Sequence, residues 1–336
     1  MEKVKVSVVG LGWIAQVVHL PILKKSTEVE LVAVCDRDKG RARLVAEKFG
    51  VKKHYTDFAQ LLTNEECDAV IVCTSTDAHK DIAIPAMKAG KDVLVEKPIA
   101  RHFVEAVAMA DAAKECKHNL MVGMNHRFRP DAMLMKSFVE GGELGAVMYA
   151  KSGWLRRREN NNPWMNKKAI AGGGVFLDLG LVMFDLAFWM LSYPEVKRVS
   201  ASTFQQKNKE VEDTSIVHLH MKDGLVLDIE ASWSTFLSED VYYCNIYGRQ
   251  GTASLNPLRI NKELHGSLVN LAPARLESPQ HFFRRSYENE INHFIGAVKG
   301  YHSVVSTGDE AVQRMRIVDA VYKSAKTGKE VTLSKN

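Results

Sequence analysis

Only five cysteines occur in the 336 residues, at positions 35, 67, 73, 116 and 244, and none forms a C-x-x-C pair. An odd, unspaced set excludes a disulfide framework and a zinc site, so no metal is expected, and it suits a reducing cytoplasm. An excess of one charge is also lacking. Lys and Arg number 45 against 40 Asp and Glu, a net +5 that is mild, dispersed and no case for nucleic acid. The most apolar run, Val175 to Leu191, carries Asp178 and Asp185, which makes it too short and too charged for a membrane span. The first strand-like segment starts at residue 4, which leaves no room for a signal peptide ahead of it. No internal repeat, low-complexity tract or flexible linker is present. What remains is an ordinary globular composition, 46% hydrophobic and 25% charged, on a chain long enough for two domains.

Val4 to Val9 reads as a short apolar strand, and Gly10-Leu11-Gly12-Trp13-Ile14-Ala15 follows at once. This is the G-x-G-x-x-G/A pattern in its mechanical context. Gly10 permits the tight strand-to-helix turn, Gly12 lets a pyrophosphate approach the backbone, and Ala15 keeps helix and strand close. The free N–H groups at the helix start then face the phosphates. A second strand, Val29 to Cys35, ends at Asp36, where a carboxylate can accept both ribose hydroxyls of an adenosine. A carboxylate there favours NAD, while Arg37 beside it could still accommodate NADP.

Strands and helices alternate through Gly123, with further strands at Asp68–Thr74, Asp92–Val95 and Leu120–Gly123. Repeated βαβ units imply a parallel, doubly wound sheet with ligands at the carboxyl ends of its strands. Gly10, Asp36, Thr74 and Lys97 all fall at such ends. Beyond about residue 145 the pattern changes to longer strands, with Asp223-Gly224 as a hairpin signal. The fold class expected is therefore α/β, a Rossmann domain over residues 1–123. An α+β domain with a large, mostly antiparallel sheet is expected over residues 124–336. The stretch Asn256–Phe283 reads as irregular surface loop, followed by two closing helices.

Lys97 is the leading catalytic candidate. It lies at a strand end on the ligand side, next to Pro98, where it could trade a proton with a substrate hydroxyl. It could equally bridge Glu96 at a domain edge. Gly172-Gly173-Gly174 gives a backbone able to approach a ligand closely, and a buried helix follows. Asp178, Val182 and Asp185 share one stripe of that helix. Buried carboxylates need partners, and a lysine, a substrate polyol, an ion pair or an N-cap role for Asp178 would each serve. Arg156-Arg157-Arg158, with Trp154 and Trp164, could meet a carboxylate, phosphate or sugar, or form a solvated loop. His126, His218, His220 and His293 have no metal spacing.

These motifs in this order resemble the glucose-fructose oxidoreductase/inositol dehydrogenase/rhizopine catabolism (Gfo/Idh/MocA) family of NAD(P)-dependent oxidoreductases. The resemblance rests on Gly10–Ala15, Asp36, Thr74 to Ala100 with Glu96-Lys97-Pro98, and the Gly172–Asp185 block. It continues through Glu212-Asp213, Tyr247–Gly251 and Ser324-Ala325. It implies hydride transfer between nicotinamide and a sugar, inositol or nucleotide sugar, with Lys97 as acid/base and Asp178 as orienting carboxylate. It implies cofactor contacts from Gly10, Gly12, Trp13, Ile14, Ala15, Asp36, Arg37, Thr74, Ser75, His79, Glu96 and Lys97. Arg156, Trp164, Asp178, Val182 and Asp185 would face the substrate. The Lys97–Pro98 bond is expected to be cis, and the chain to form a homodimer or homotetramer. One position departs from the pattern. Where these dehydrogenases commonly carry a proton-accepting histidine, this chain has Val182, which cannot move a proton. That departure keeps two other functions in view, a cofactor-binding sensor and a reductase of a non-sugar substrate.

Overall fold

The computed structural model describes residues 2–157, 163–274 and 278–333. Two compact units are present. One comprises Met1–Asn125 with Tyr287–Met315, and the other His126–Ser286 with Arg316–Asn336.

The first unit is built on six strands, β1 (Val4–Val9), β2 (Val29–Cys35), β3 (Lys53–Tyr55), β4 (Ala69–Val72), β5 (Asp92–Glu96) and β6 (Leu120–Gly123). All pair in parallel, in the order β3-β2-β1-β4-β5-β6. This is the doubly wound order, and the direction of winding reverses between β1 and β4. Every residue of β4 and all but Lys5 of β1 are buried, as a sheet covered on both faces requires. Helices α1 (Leu20–Lys25), α2 (Lys39–Phe49), α3 (Phe58–Asn64), α4 (His79–Lys88) and α5 (Phe103–Cys116) make the crossovers. Their ends follow local chemistry. Asp38 caps α2 through the Arg41 N–H, Gly50 ends it at φ 65°, and Asp57 caps α3 through the Ala59 N–H.

The second unit contains α6 (Pro130–Glu140), α7 (Lys168–Ala171) and α8 (Leu181–Met190) against a nine-stranded sheet. Its strands are β7 (Val147–Leu155), β8 (Val196–Phe204), β9 (Thr214–Met221), β10 (Val226–Ser232) and β11 (Val241–Gly248). They continue as β12 (Gly251–Leu255), β13 (Arg259–Leu264), β14 (Ser267–Asn270) and β15 (Val331–Thr332). The order is β14-β13-β12-β11-β7-β10-β9-β8-β15, and only β7 and β10 pair in parallel. The Asp223-Gly224 signal marks the β9–β10 hairpin, with Gly224 at φ 92°. Two long helices, α9 (Pro279–Val298) and α10 (Gly308–Thr327), each begin in one unit and end in the other.

Two expectations need correction. Asn256–Phe283 is not an irregular loop, because it holds the β13–β14 hairpin and the start of α9. The hairpin turns at His265 and Gly266, both at positive φ, the backbone a two-residue turn demands. Ile260 is its buried anchor, while Arg259, Lys262 and Glu263 hide the strand from a hydrophobic pattern. The apolar stretch is also longer than expected: Lys168–Met190 runs 23 residues and is apolar enough to cross a membrane by length and composition alone. Its most apolar window is 83% buried inside the protein, which makes it a core helix.

Candidate active site

In the first unit the sequence signals converge at the carboxyl ends of β1, β2, β4 and β5. Gly10 sits at φ 87°, and a Cβ there would lie 2.5 Å from the Thr74 nitrogen and 2.6 Å from the Cys73 carbonyl carbon. The β4 end therefore packs against bare Gly10 backbone. A Cβ on Gly12, in contrast, would meet nothing within 4 Å. The helix that follows runs from Trp13, and residues Ala15–His19 form a π-helical segment instead of a regular α-helical turn. Trp13 is 62% exposed, Ile14 is half-buried and Ala15 is fully buried. Asp36 is buried and already engaged. Its Oδ2 accepts from the Leu11 N–H at 2.9 Å, its Oδ1 from the Asp38 N–H at 2.9 Å, and Arg41 reaches it at 3.3 Å. Arg37 is exposed.

Thr74 Oγ1 is buried with no hydrogen-bond partner among the described residues. Ser75 donates to Asp77 at 2.5 Å. His79 is 1% exposed and lies between two carbonyls, Pro98 O at 3.0 Å and Thr74 O at 3.2 Å. Burial pushes its imidazole below the ordinary value, against the pull of those carbonyls, so a single N–H serves one carbonyl at a time. His79 thereby ties the loop after β4 to the loop after β5.

At the end of β5, Glu96 Oε2 accepts from the Lys97 N–H at 3.3 Å, and the Lys97–Pro98 bond is cis. The other oxygen, Oε1, meets His19 Nε2 at 2.7 Å. His19 is fully buried and stands edge-on to Tyr287, with ring centroids 6.1 Å apart. Burial would drive its imidazole down, but Cys73 and Glu96 beside it hold it well above the ordinary value. Burial likewise pulls Glu96 up, and His19 with Lys97 overcomes it, leaving the carboxyl below its usual range. Sequence reasoning missed His19. Its partner is 77 residues away, so no local pattern contains the pair.

In the second unit Gly173 and Gly174 have a different cause from the ligand approach expected of the three glycines, while Gly172 sits at φ 87°. A Cβ on Gly173 would lie 2.0 Å from the Tyr322 oxygen, and one on Gly174 would lie 2.0 Å from the Glu212 carbonyl. The close approach is to the protein's own Glu212 and Tyr322. The Glu212 carboxylate accepts from the Gly174 N–H at 3.0 Å, the Phe176 N–H at 3.0 Å and the Tyr322 hydroxyl at 2.9 Å. Burial nevertheless pushes its pKa up.

Asp178 is not an N-cap. It lies inside a π-helical segment, Phe176–Gly180, and its Oδ2 accepts from the Trp233 indole N–H at 3.1 Å. Val182 is 5% exposed. Asp185 holds Arg127 through two bonds, at 2.8 and 2.5 Å, both side chains 1% exposed. Arg156 pairs with Asp240 at 3.2 Å, Arg157 donates its N–H to the same carboxylate, and Arg158 lies outside the described residues. Trp164 is partly buried in the turn Pro163–Asn166.

His126, Tyr242 and Arg129, which sequence reasoning did not assign to the site, cluster beside Trp154, which it did. Trp154, with Met165, packs on the cluster of Val175, Leu179, Val211, Ala231 and Trp233. The His126 ring lies 5.4 Å from Trp154 and 5.3 Å from Tyr242, centroid to centroid, and His126 Nδ1 is 3.0 Å from the Tyr242 hydroxyl. The Arg129 guanidinium stands 5.2 Å over the Tyr242 ring and is paired with Asp131 at 2.6 Å.

A doubly wound parallel sheet with a glycine turn, a terminal carboxylate and a Glu-Lys-Pro strand end defines a dinucleotide-binding oxidoreductase. Family models agree. An oxidoreductase-family NAD-binding Rossmann fold matches residues 4–124, and the same family's C-terminal alpha/beta domain matches residues 136–333. The chain belongs to the Gfo/Idh/MocA oxidoreductase family. It is 29% identical to the D-glucoside 3-dehydrogenase of Escherichia coli (strain K12), over 98% of this chain and 97% of the relative. It is 28% identical to the myo-inositol 2-dehydrogenase of Thermotoga maritima, over 98% of each. A solved structure of GenD2 from gentamicin A biosynthesis, in complex with NAD, superposes with a TM-score of 0.88 at 27% identity. The match covers 100% of this chain and 97% of that one. The residues of the first unit fit the cofactor: space over Gly12 is open, and Thr74 Oγ1 is buried without a protein partner.

Proposed function

We propose that this protein transfers a hydride between NAD and a carbinol carbon of a sugar, inositol or nucleotide sugar. The observation that carries this reading is the common sheet edge shared by the Gly10–Gly12 turn, open over Gly12, the buried Asp36 carboxylate and Glu96-Lys97. Gly12, Trp13, Ile14 and Ala15 offer the helix start to the pyrophosphate, and Asp36 with Arg37 takes the adenosine ribose. Thr74, Ser75 and His79 form the wall along the cofactor, and Glu96 and Lys97 stand at its nicotinamide end. Bound there, NAD supplies the hydride acceptor. Asp36 favours NAD because its carboxylate repels a 2′-phosphate, and Arg41 is already spent on it.

Lys97 exchanges the proton of the reacting hydroxyl, and Asp178, steadied by the Trp233 indole, orients the substrate. Arg156 and Trp164 lie toward the substrate, and Val182 gives it an apolar neighbour. Asp185 acts through Arg127, with which it forms a buried ion pair. The open outer face of the second unit's sheet supports a homodimer or homotetramer, and five unpaired cysteines suit the cytoplasm.

The test is nicotinamide absorbance with the purified protein, wild type and Lys97→Ala, against NAD and NADP with sugars, inositols and nucleotide sugars. Turnover that collapses in Lys97→Ala is the expected result. Cofactor binding with no turnover on any sugar would favour the second reading, a sensor or a non-sugar reductase, which the buried Val182 supports.

A further inference from the structure

We propose that His19, acting through Glu96, sets how strongly the site prefers oxidised over reduced cofactor, by neutralising a carboxylate at the nicotinamide end. This rests on the cofactor placement in the reading above, with Glu96 and Lys97 at that end. Every residue involved belongs to the first unit. Glu96 closes β5, and its side chain is only 12% exposed. Its Oε1 meets His19 Nε2 at 2.7 Å, and its Oε2 accepts from the Lys97 N–H at 3.3 Å. Gly123, the register partner of Glu96 on β6, gives the carboxylate room, since a Cβ there would come 3.4 Å from Oε2. The His19 side chain is fully buried at the end of the π-helical segment Ala15–His19, just beyond the glycine turn. One buried pair thus joins the helix that follows the turn to the strand end that carries Lys97.

The oxidised nicotinamide ring carries a positive charge and the reduced ring carries none. A net charge beside the ring therefore shifts the two affinities unequally. With its imidazole protonated, His19 cancels the Glu96 carboxylate. Without that proton, the carboxylate favours the oxidised ring. The other groups around the pair come from β4, α4, α9 and Lys97. Burial pushes the Cys73 thiol up against the pull of His19, with Glu96 and Glu290 adding to the rise, so the thiol stays neutral. Burial pushes His79 down, and it faces Glu96 as a neutral ring. Tyr287 of α9 meets the His19 ring edge-on. Lys97 joins His19 in holding the Glu96 carboxyl below its usual range. By linkage, tightening the oxidised form more than the reduced one makes the bound cofactor harder to reduce by the same factor. The charged His19 thereby makes the bound ring a readier hydride acceptor.

The test compares calorimetric Kd values for NAD and NADH at about pH 8, above the usual carboxylate range. It uses wild type, His19→Gln, and His19→Gln combined with Glu96→Gln. Glutamine keeps an N–H for Glu96 but carries no charge. In His19→Gln the ratio of the NAD Kd to the NADH Kd should fall by about tenfold, the scale of one partly screened charge. Adding Glu96→Gln should return the ratio toward wild type. In wild type the ratio should also fall as pH rises through the raised His19 value, and His19→Gln should lose that dependence. A purely structural role would weaken both cofactor forms alike. An unchanged ratio in His19→Gln therefore overturns the inference, while sugar turnover by wild type still upholds the dehydrogenase reading. Should His19→Gln fail to fold, a wild-type ratio flat from about pH 6 to about pH 10 overturns the inference by itself. A ratio that moves as expected without turnover on any sugar would remove the dehydrogenase reading and support the role of His19 at the cofactor.

Discussion

His19 and Glu96 illustrate at the residue scale what burial does to charge. The Glu96 carboxyl is held below its ordinary value, so it contributes stability above the usual carboxylate range. That contribution is lost as pH falls through its depressed value. His19 is held above its ordinary value, so its contribution is complete below about pH 6.5 and is lost as pH rises through the raised value. Stability should therefore be greatest between the two, and His19→Leu should flatten both flanks in denaturant titrations across pH. The same variant strands a buried carboxylate and should cost about 3–5 kcal/mol. Gly10→Ala meets a harder obstacle, a positive φ and a backbone nitrogen 2.5 Å away, so NAD binding measured by calorimetry should be lost or severely weakened. The strand-end positions of Gly10, Asp36 and Lys97 were legible in the sequence because each follows an apolar run. His19 was not, since its meaning lies wholly in a distant partner.

Among the elements, the stretch from Gly172 to Met190 departs most from its sequence reading. Its burial was legible, because the segment is apolar nearly all round. The purpose of its glycines was not, because the pattern does not say whether ligand or protein comes close. Here the neighbours are Glu212 and Tyr322, whose side chains and carbonyl occupy the space a Cβ would need. Gly174→Ala should consequently destabilise the second unit by about 1–3 kcal/mol or more, as overpacking does, read as a lowered urea midpoint. Tyr322→Phe removes one of the donors to Glu212 and should cost about 1 kcal/mol, with the fold retained. The β13–β14 hairpin was illegible for the opposite reason: charge on its exposed face masks its single buried anchor, Ile260.

For the whole molecule, the doubly wound order could be anticipated because parallel strands need long crossovers, and each crossover left its own helix signal in the chain. The return of Tyr287–Met315 to the first unit could not, since nothing local distinguishes a helix that belongs to one unit from one that passes between two. The second sheet carries the remaining consequence. Along β9, Ser215, Val217, Leu219 and Met221 are buried, while Ile216 is 51% exposed and His218 and His220 are partly so. Phe204, at the end of the adjacent β8, is 48% exposed. A sheet face with water on one side normally alternates apolar-in with polar-out, and Ile216 and Phe204 break that rule on the outer face. A second copy of the chain covering this face would remove both from water. Light scattering should then give a dimer or tetramer mass. Ile216→Lys should lower that mass, because each copy would have to bury the new charge without a partner. NADH binding should persist in that variant, since the cofactor residues belong to the other unit. A monomeric wild-type mass would show that the exposed isoleucine is an isolated surface residue.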